Sequence, residues 1–216
     1  MIPRAAAITV AAALGITAGV VSATRQYSVW DRAAMLLALL GFCLPVFWIG
    51  LILQILLAYR LPLFPVSGMN APGQSGVLDT LHHLVLPAVT LGIGPAAVIA
   101  RMTRSSVLDV VRQDFVRTAR AKGLAERAVI VRHVLRNALI PVLTIVGLQV
   151  GYLFGGAVLV EMVFSWPGLG LLMVNGILAR DFPVVQGAVL VVATTYVIVN
   201  LLIDVLYTVV DPRVRT

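Results

Sequence analysis

Five long apolar segments dominate the pattern of hydrophobic and polar positions along the chain. They lie at about residues 2–23, 33–59, 81–100, 138–160 and 184–210. A membrane hydrocarbon core about 30 Å thick requires about 20 helical residues at 1.5 Å each, and all five segments are of that order. The pattern therefore predicts an all-α polytopic membrane protein with about five transmembrane helices in a single domain, residues 1–216. Pro45, Pro87 and Pro95 fall within these segments, where neighbouring helices can satisfy the freed carbonyl groups.

The longest polar stretch, residues 101–137, has a helical pattern of its own. Ser106, followed three residues later by Asp109, is typical of a capping box that starts a helix. Apolar residues then recur at helical spacing as far as Lys122, at Leu108, Val111, Phe115 and Ala119. Gly123 is expected to turn the chain, and residues 124–127 open a second helix that carries Val129, Ile130 and Val134. We expect a helix–glycine–helix knuckle that projects from the membrane.

The composition excludes a soluble enzyme. The chain is 60% hydrophobic and 12% charged, against about 45–50% apolar and about 25% charged in average globular proteins. The single Cys43 allows no disulfide framework. His82 and His83 are adjacent, and adjacent helical side chains diverge by about 100°, so a metal site is not expected there. Ser67, in a polar loop, does not suggest an intramembrane serine protease.

The distribution of the basic residues sets the orientation. The net charge is +7, and 13 of the 16 Lys and Arg residues lie on one side of the predicted membrane, nine of them in residues 101–137. Basic residues in short loops stay in the cytoplasm, so this stretch and the C-terminus are predicted to be cytoplasmic and the N-terminus external. The basicity does not indicate nucleic acid. The basic knuckle is either a helix lying on anionic lipid or a docking element for another protein.

Several runs of residues resemble one family of membrane proteins. The run FVRTARAKGL at residues 115–124 and the run RHVLRNALIP at residues 132–141 resemble the cytoplasmic signature of ABC-importer permeases of the dipeptide/oligopeptide/nickel branch. Further matches are Asp31-Arg32, the run PVFW at residues 45–48, Glu161, Phe164, WPGLG at 166–170, ARD at 179–181, PVVQG at 183–187 and DPR at 211–213. The resemblance covers nearly the whole chain.

The resemblance implies a type I ABC importer permease fold with a coupling helix that docks on a separate ATPase subunit. This helix maps to Arg117, Thr118, Ala119, Arg120, Ala121, Lys122, Gly123 and Leu124. The family pattern begins Glu-Ala-Ala, and the acidic residue is absent here. The chain has no phosphate-binding Gly-rich loop followed by lysine, so it is not expected to be an enzyme. It would bind no cofactor, and ATP and Mg²⁺ would be bound by partner subunits.

The implied function is ATP-driven import of peptides or a related small solute such as nickel chelates. The implied partners are a second homologous permease, two ABC ATPases, an extracytoplasmic substrate-binding protein and the lipid bilayer, with no nucleic acid. The implied location is the cytoplasmic membrane of a prokaryote. Compared with the family, the chain starts where the second span is expected, so the usual N-terminal span and external region precede it or are lacking. A truncated, non-transporting membrane scaffold is therefore the alternative.

The resemblance also implies that residues 161–183 form an outward-facing gate loop beneath the binding protein. Its candidate residues are Glu161, Trp166, Pro167, Gly168 and Gly170. The alternative is a simple interfacial loop, in which Trp166 would sit at the membrane interface.

The fourth apolar segment has one face of small residues, at Gly147, Gly151 and Gly155. Such faces let helices approach closely in lipid, which predicts packing within the subunit or against a companion permease. Candidates for the translocation path lie on other faces: Gln149, Tyr152, Asn200 and Asp204. For the polar side chains the alternatives are a hydrogen bond to a neighbouring helix for Gln149 and an ion pair with a loop arginine for Asp204.

Overall fold

The computed structural model describes residues 2–71, 73 and 76–210, except for the side chains of residues 154, 155, 204 and 206–210. The described part of the chain is α-helical and contains no strand. Its helices are α1 (Ile2–Thr24), α2 (Val29–Cys43), α3 (Val46–Leu53), α4 (Val77–Val111), α5 (Asp114–Ala121), α6 (Glu126–Ala128), α7 (Arg136–Val163), α8 (Leu169–Leu178) and α9 (Phe182–Val210). A π-helical segment, Gln54–Arg60, extends α3, and another, Val129–Leu135, joins α6 to α7.

The predicted membrane spans are confirmed. Within the described residues, four helices are long and apolar enough to cross a membrane, and five candidate spans result if α2 and α3 are counted as one. The helix α4 has 35 residues and extends beyond the apolar segment 81–100 at both ends. The polytopic all-α class is therefore the observed one, although helix boundaries differ from those predicted and the second span is interrupted.

The second predicted span is broken at Pro45. Helix α2 ends at Cys43, and α3 begins at Val46 with Pro45 in extended backbone, at φ −61° and ψ 134°. Proline removes a backbone N–H and disfavours helical backbone in the residue before it, here Leu44. The expectation that Pro45 lies inside one continuous span was wrong. Pro87 and Pro95, by contrast, lie within the continuous helix α4.

The chain divides into two compact units, and α1, α4 and α7 supply residues to both. The first unit comprises Met1–Val10, Leu44–Ile93 and Gln149–Thr216. Its main core consists of apolar residues from α1, α4 and α7 and from the segment that extends α3: Ala7, Ala58, Leu86, Leu91, Leu153, Ala157, Val160 and Phe164. Gly50 of α3 lies against this core, because a Cβ built on it would be 3.3 Å from Cε2 of Phe164.

The second unit comprises Ala11–Cys43 and Gly94–Leu148. Two glycines four residues apart bring α1 against α4 within it. A Cβ built on Gly15 would be 2.7 Å from Cβ of Ile99, and one on Gly19 would be 2.5 Å from Cβ of Thr103. This is the small-residue packing expected of helices in lipid. It occurs here at a Gly-x-x-x-Gly pair that the sequence analysis did not single out.

The first part of residues 101–137 differs from the prediction. Ser106 is not a capping residue, since α4 continues through it to Val111, and the next helix starts only at Asp114. The helix continues past Ser106 because its apolar face also continues, with Val107 and Val110 both buried. The break at Arg112-Gln113 then changes the register. As a result the buried residues of α5 are Val116 and Ala119, whereas Phe115 is 41% exposed.

Candidate functional site

The knuckle, defined here as residues 114–135, turns at Gly123. Helix α5 ends at Ala121, and the backbone N–H of Gly123 donates to the carbonyl of Arg120 at 2.9 Å. The φ angle of Gly123 is 77°, a left-handed conformation that glycine adopts without steric cost. A Cβ built on Gly123 meets nothing within 4 Å, so backbone conformation, and not lack of space, favours glycine here. The predicted turn is confirmed.

A core rich in valine fixes the knuckle to the rest of its unit. Val116 and Ala119 are the buried residues of α5. They belong to a cluster of buried residues from α1, α4, the second half of the knuckle and α7: Ala23, Val107, Val110, Val129, Val134 and Ala138. Burial of each valine side chain contributes about 1.5–3 kcal/mol relative to exposure. The knuckle is therefore a rigid, packed element and not a loosely attached loop.

The other face of the knuckle is exposed. Among residues 117–124, which were predicted to contact an ATPase, only Ala119 is buried. The exposed residues include three cations, Arg117, Arg120 and Lys122. Phe115 and Leu124 are 41% and 44% exposed, so large apolar side chains lie on the same short element as the cations. Large apolar side chains together with arginine are typical of protein interfaces.

Two ion pairs arrange the charges on this face. The guanidinium of Arg120 donates to both carboxylate oxygens of Glu126, from Nε at 3.1 Å and from Nη2 at 2.7 Å. This hydrogen bonding raises the pKa of Arg120 further above its usual range, so the side chain stays protonated. Arg117 pairs with Asp114 at 3.6 Å. Exposed ion pairs contribute about 1 kcal/mol or less to the free energy of unfolding. The paired hydrogen bonds to Glu126 therefore chiefly fix the orientation of the Arg120 side chain across the Gly123 turn.

A buried acid, Asp31, ties α1, α2 and α4 together in the same unit as the knuckle. Its carboxylate accepts hydrogen bonds from Nε and Nη2 of Arg104, at 2.8 and 2.9 Å. The backbone N–H of Tyr27 donates to it at 2.9 Å, and the hydroxyl of Ser22 donates to it as well. Asp31 is 4% exposed. Buried charges require such partners, so this network is a structural anchor.

A second buried acid, Glu161, organises the candidate gate loop in the other unit. Its Oε2 accepts the backbone N–H groups of Gly170 and Leu171, at 2.8 and 3.1 Å, in the first turn of α8. Its Oε1 lies 3.7 Å from Nη2 of Arg4, and both side chains are at most 10% exposed. The carboxylate thus caps the positive end of a helix and pairs with a buried cation.

Glycine is required where the loop crosses this carboxylate. A Cβ built on Gly168 would collide with the Glu161 carboxylate, and one built on Gly170 would be 2.8 Å from Cα of Val158. Neither glycine has a positive φ angle, so close approach and not backbone conformation explains why glycine stands at these positions. The predicted gate residues Glu161, Gly168 and Gly170 are thereby brought together.

Trp166 is buried inside the protein, whereas the alternative of a simple interfacial loop placed it at the membrane interface. It is 3% exposed and packs with Leu84 and Ala88 of α4. The cause is the turn after α7, where Ser165 has a φ angle of 47° and the backbone N–H of Trp166 donates to the carbonyl of Glu161 at 2.9 Å. Pro167, the next candidate gate residue, is exposed.

The candidate path residues are not gathered into one cluster by the described contacts. Gln149 is half-buried and Tyr152 is 65% exposed. Asn200 of α9 faces Gly151, since a Cβ built on that glycine would be 3.5 Å from its Oδ1. Gly147 is half-buried. The side chain of Asp204 and the surroundings of Gly155 lie outside the described residues.

The histidine pair is engaged in local contacts. Nδ1 of His83 lies 2.9 Å from the carbonyl oxygen of Asp79 and 3.4 Å from its carboxylate. Nε2 of His82 lies 3.0 Å from the carbonyl oxygen of Leu63. The two rings therefore have different partners, as expected for adjacent residues of a helix.

The fold is similar to that of membrane chains of solved ABC transporters. In two structures titled as inward-facing conformations of the MetNI methionine ABC transporter, the matched chain has TM-scores of 0.70 and 0.72, with 15% sequence identity and 97% of this chain and 93% of that chain covered. A crystal structure of an amino acid ABC transporter with histidines matches at a TM-score of 0.60 and 16% identity, covering 99% of this chain and 91% of that chain. These likenesses show that the chain has a multi-spanning helical fold of the same kind.

Residues 15–216 match the family described as binding-protein-dependent transport system inner membrane component, and the chain belongs to this family of ABC importer permeases. It is 47% identical to the di/tripeptide transport system permease protein DppB of Pseudomonas aeruginosa and 46% identical to the dipeptide transport system permease protein DppB of Escherichia coli K12, each over 97% of this chain and 68% of the relative. The oligopeptide transport system permease protein AppB of Bacillus subtilis is 44% identical, over 94% of this chain and 64% of the relative. The chain thus spans about two thirds of the length of these relatives.

Proposed function

We propose that this chain is the permease subunit through which an ABC importer moves peptides, or a related small solute such as a nickel chelate, across the cytoplasmic membrane. The substrate class is supported by the relatives, which are named as di/tripeptide, dipeptide and oligopeptide transport permeases. The chain itself is not an enzyme in this proposal. ATP and Mg²⁺ bind to partner ATPase subunits.

The knuckle is the surface that couples the chain to an ATPase. The observation that carries this assignment is the combination, on one short element, of a buried valine core, a left-handed Gly123 turn and an exposed face of three cations. A rigid element with an exposed, oriented surface can transmit a rigid-body displacement of its partner. The cations select an acidic groove and guide docking, while Phe115 and Leu124 supply apolar contact area.

The remaining partners fit other surfaces of the chain. In the candidate span Phe182–Ile203, only 6% of the apolar 18-residue stretch is buried within the protein. In the candidate span Glu126–Leu153 the buried share is 22%. Surfaces this apolar must contact lipid or a second permease subunit, and we assign part of them to a homologous companion. The gate loop, held closed on itself by Glu161, faces an extracytoplasmic binding protein. The C-terminus and the knuckle are on the cytoplasmic side, as the distribution of the basic residues supports.

Transport then follows an alternating-access cycle. Closure of two ATPases displaces the knuckle, and the displacement passes to the helices that share its core. Helix α4 supplies Val107 and Val110 to the knuckle core and Leu86 and Leu91 to the main core of the other unit. Helices α1 and α7 likewise supply residues to both cores.

Charge reversal on the knuckle tests this function. The double substitution Arg120→Glu, Lys122→Glu in the assembled transporter should lower both uptake and substrate-stimulated ATP hydrolysis about tenfold or more, because like charges facing an acidic groove cost several kcal/mol and each 1.4 kcal/mol is tenfold. Uptake and hydrolysis are measured in liposomes with the binding protein present.

The matched control is Arg25→Glu, Arg32→Glu, which makes the same charge change at two exposed positions of the same unit. It should retain most of the activity. If the knuckle variant kept both uptake and stimulated hydrolysis, the coupling assignment would fail. Co-purification separates the alternative function: a non-transporting scaffold would be isolated without two ATPases and a second permease.

A further inference from the structure

An open cavity of about 340 Å³ lies between α2 and α4 in the unit that contains the knuckle. Its lining consists of Met35 of α2, of Arg101, Arg104, Ser105, Leu108 and Asp109 of α4, and of Arg112, which follows α4. The lining thus contributes three positively charged guanidinium groups and one hydroxyl group, but only one negatively charged carboxylate. None of these residues belongs to the knuckle or to the gate loop.

The basic residues converge because of their spacing. Arg101 and Arg104 are three residues apart on one side of α4, together with Ser105 and Leu108, and Arg112 follows directly after the last residue of α4. Guanidinium groups bind phosphate oxygens through pairs of parallel hydrogen bonds, and a serine hydroxyl adds a further donor. A cluster of this kind is the usual protein counterpart of a phosphate group.

Two of the arginines are held in place before any ligand arrives. The guanidinium carbon of Arg101 lies 5.0 Å from the centre of the Phe42 ring, which is within the range of a cation–π contact. Arg104 uses Nε and Nη2 to bind Asp31, so that the Nη1 edge of its guanidinium lies outside this pair. Preorganised side chains lose less conformational entropy on binding, which favours affinity.

The surroundings of the cavity favour an amphiphile over a soluble anion. The cavity is flanked by α2, whose large apolar residues are exposed: Leu36, Leu37, Leu39, Leu40 and Phe42. They offer an apolar surface beside the arginines, along which acyl chains can lie. The cytoplasmic leaflet of a membrane carries anionic lipids, and basic pockets between helices on that side bind their headgroups.

We propose that this cavity, the arginine pocket, binds the phosphate headgroup of an anionic phospholipid, with the acyl chains packed along the exposed leucines of α2. The binding places a lipid beside the Asp31–Arg104 anchor. The stability of the unit that carries the knuckle therefore depends on the anionic lipid content of the membrane.

Lipid retention tests the proposal. The complete transporter is reconstituted in nanodiscs of phosphatidylcholine with phosphatidylglycerol, extracted in mild detergent, and examined by native mass spectrometry for bound lipid. The double substitution Arg101→Gln, Arg112→Gln should lower retained phosphatidylglycerol about tenfold, since two charge-assisted hydrogen bonds are lost. The matched control Arg25→Gln, Arg32→Gln removes two exposed arginines of the same unit that lie outside both the pocket and the knuckle, and should retain lipid as the wild type does.

A second variant and a competitor complete the test. Ser105→Glu puts a carboxylate into the pocket at an exposed position and should release the lipid without removing an arginine. Excess inorganic phosphate should not displace the lipid. Equal retention in wild type and pocket variants would overturn the proposal. Displacement by inorganic phosphate would assign the pocket to a soluble anion, and loss of the ATPase subunits from the pocket variants would assign it to a subunit contact; both would also overturn it.

Discussion

Replacement of Asp31 by alanine is expected to destabilise the folded permease by about 3–5 kcal/mol, which is the usual cost of removing one partner from a buried ion pair. The substitution takes away the acceptor of two hydrogen bonds from Arg104, at 2.8 and 2.9 Å, and of one from the backbone N–H of Tyr27. It leaves the Arg104 guanidinium without its carboxylate. Unfolding of the purified protein in mixed micelles of increasing SDS content, followed by tryptophan fluorescence, measures the change.

Three further variants make this prediction specific. Asp31→Asn keeps one oxygen acceptor and should cost less than alanine does. The double variant Asp31→Ala, Arg104→Met removes the unpaired cation too, and should recover part of the loss, because the two positions interact directly. Asp109→Ala removes an exposed carboxylate of α4 and should change stability by about 0.5 kcal/mol or less. A double variant no more stable than Asp31→Ala would contradict the role assigned to the pair.

Substitution of Gly168 by alanine is expected to cost about 3 kcal/mol and to impair uptake. A Cβ at this position collides with the Glu161 carboxylate, which is 5% exposed. Overpacking alone costs about 1–3 kcal/mol, and loss of a hydrogen bond to a charged group costs about 1.5–3 kcal/mol. The displaced carboxylate would no longer cap α8 through the backbone N–H groups of Gly170 and Leu171. The SDS titration and an uptake assay in liposomes check both effects.

The chain provides a matched control for this substitution in the same unit. A Cβ built on Gly187 of α9 meets nothing within 4 Å. Gly187→Ala should therefore be neutral or slightly stabilising, because alanine favours helix over glycine by about 1 kcal/mol. If Gly168→Ala were as stable as Gly187→Ala and transported at the wild-type rate, close packing of the gate loop on Glu161 would not matter for folding or transport.

The spans and the Gly123 turn could be predicted because their causes are local. A run of apolar residues long enough to cross the bilayer leaves few alternatives to a helix. Gly123 combines a helix-stopping residue with a helical pattern on both sides, and the structure gives it a φ angle of 77°. The break at Pro45 was not predicted, since Pro87 and Pro95, in equally apolar surroundings, do not interrupt α4. The difference between Pro45 and these two prolines does not show in local sequence.

The errors within the candidate sites have the same origin. Ser106 and Asp109 have the spacing of a capping box, but Val107 and Val110 are buried and extend α4 past them. Trp166 was placed at the membrane interface by the alternative of a simple loop, and it is buried because it packs against Leu84 and Ala88 of α4. Neither outcome depends on residues adjacent in sequence.

The two buried ion pairs were missed for a related reason. Asp31 and Arg104 are 73 residues apart, and Arg4 and Glu161 are 157 residues apart. Each of these residues does carry a signal, since charged residues at or within apolar segments require partners. That signal identifies candidates for pairing without identifying which acid meets which base. Pairing depends on how the helices pack.

The most direct test of the central claim, that the knuckle docks on an ATPase, is photo-crosslinking from a single position. A photoreactive amino acid is placed at Ala121, which is exposed at the end of α5, in the assembled transporter in membranes. The control position is Leu178, which is 78% exposed in the other unit. Illumination should yield an adduct with the mass of permease plus ATPase from position 121 and none from position 178. An ATPase adduct from position 178, or none from position 121 in a transporter that still hydrolyses ATP in response to substrate, would contradict the account.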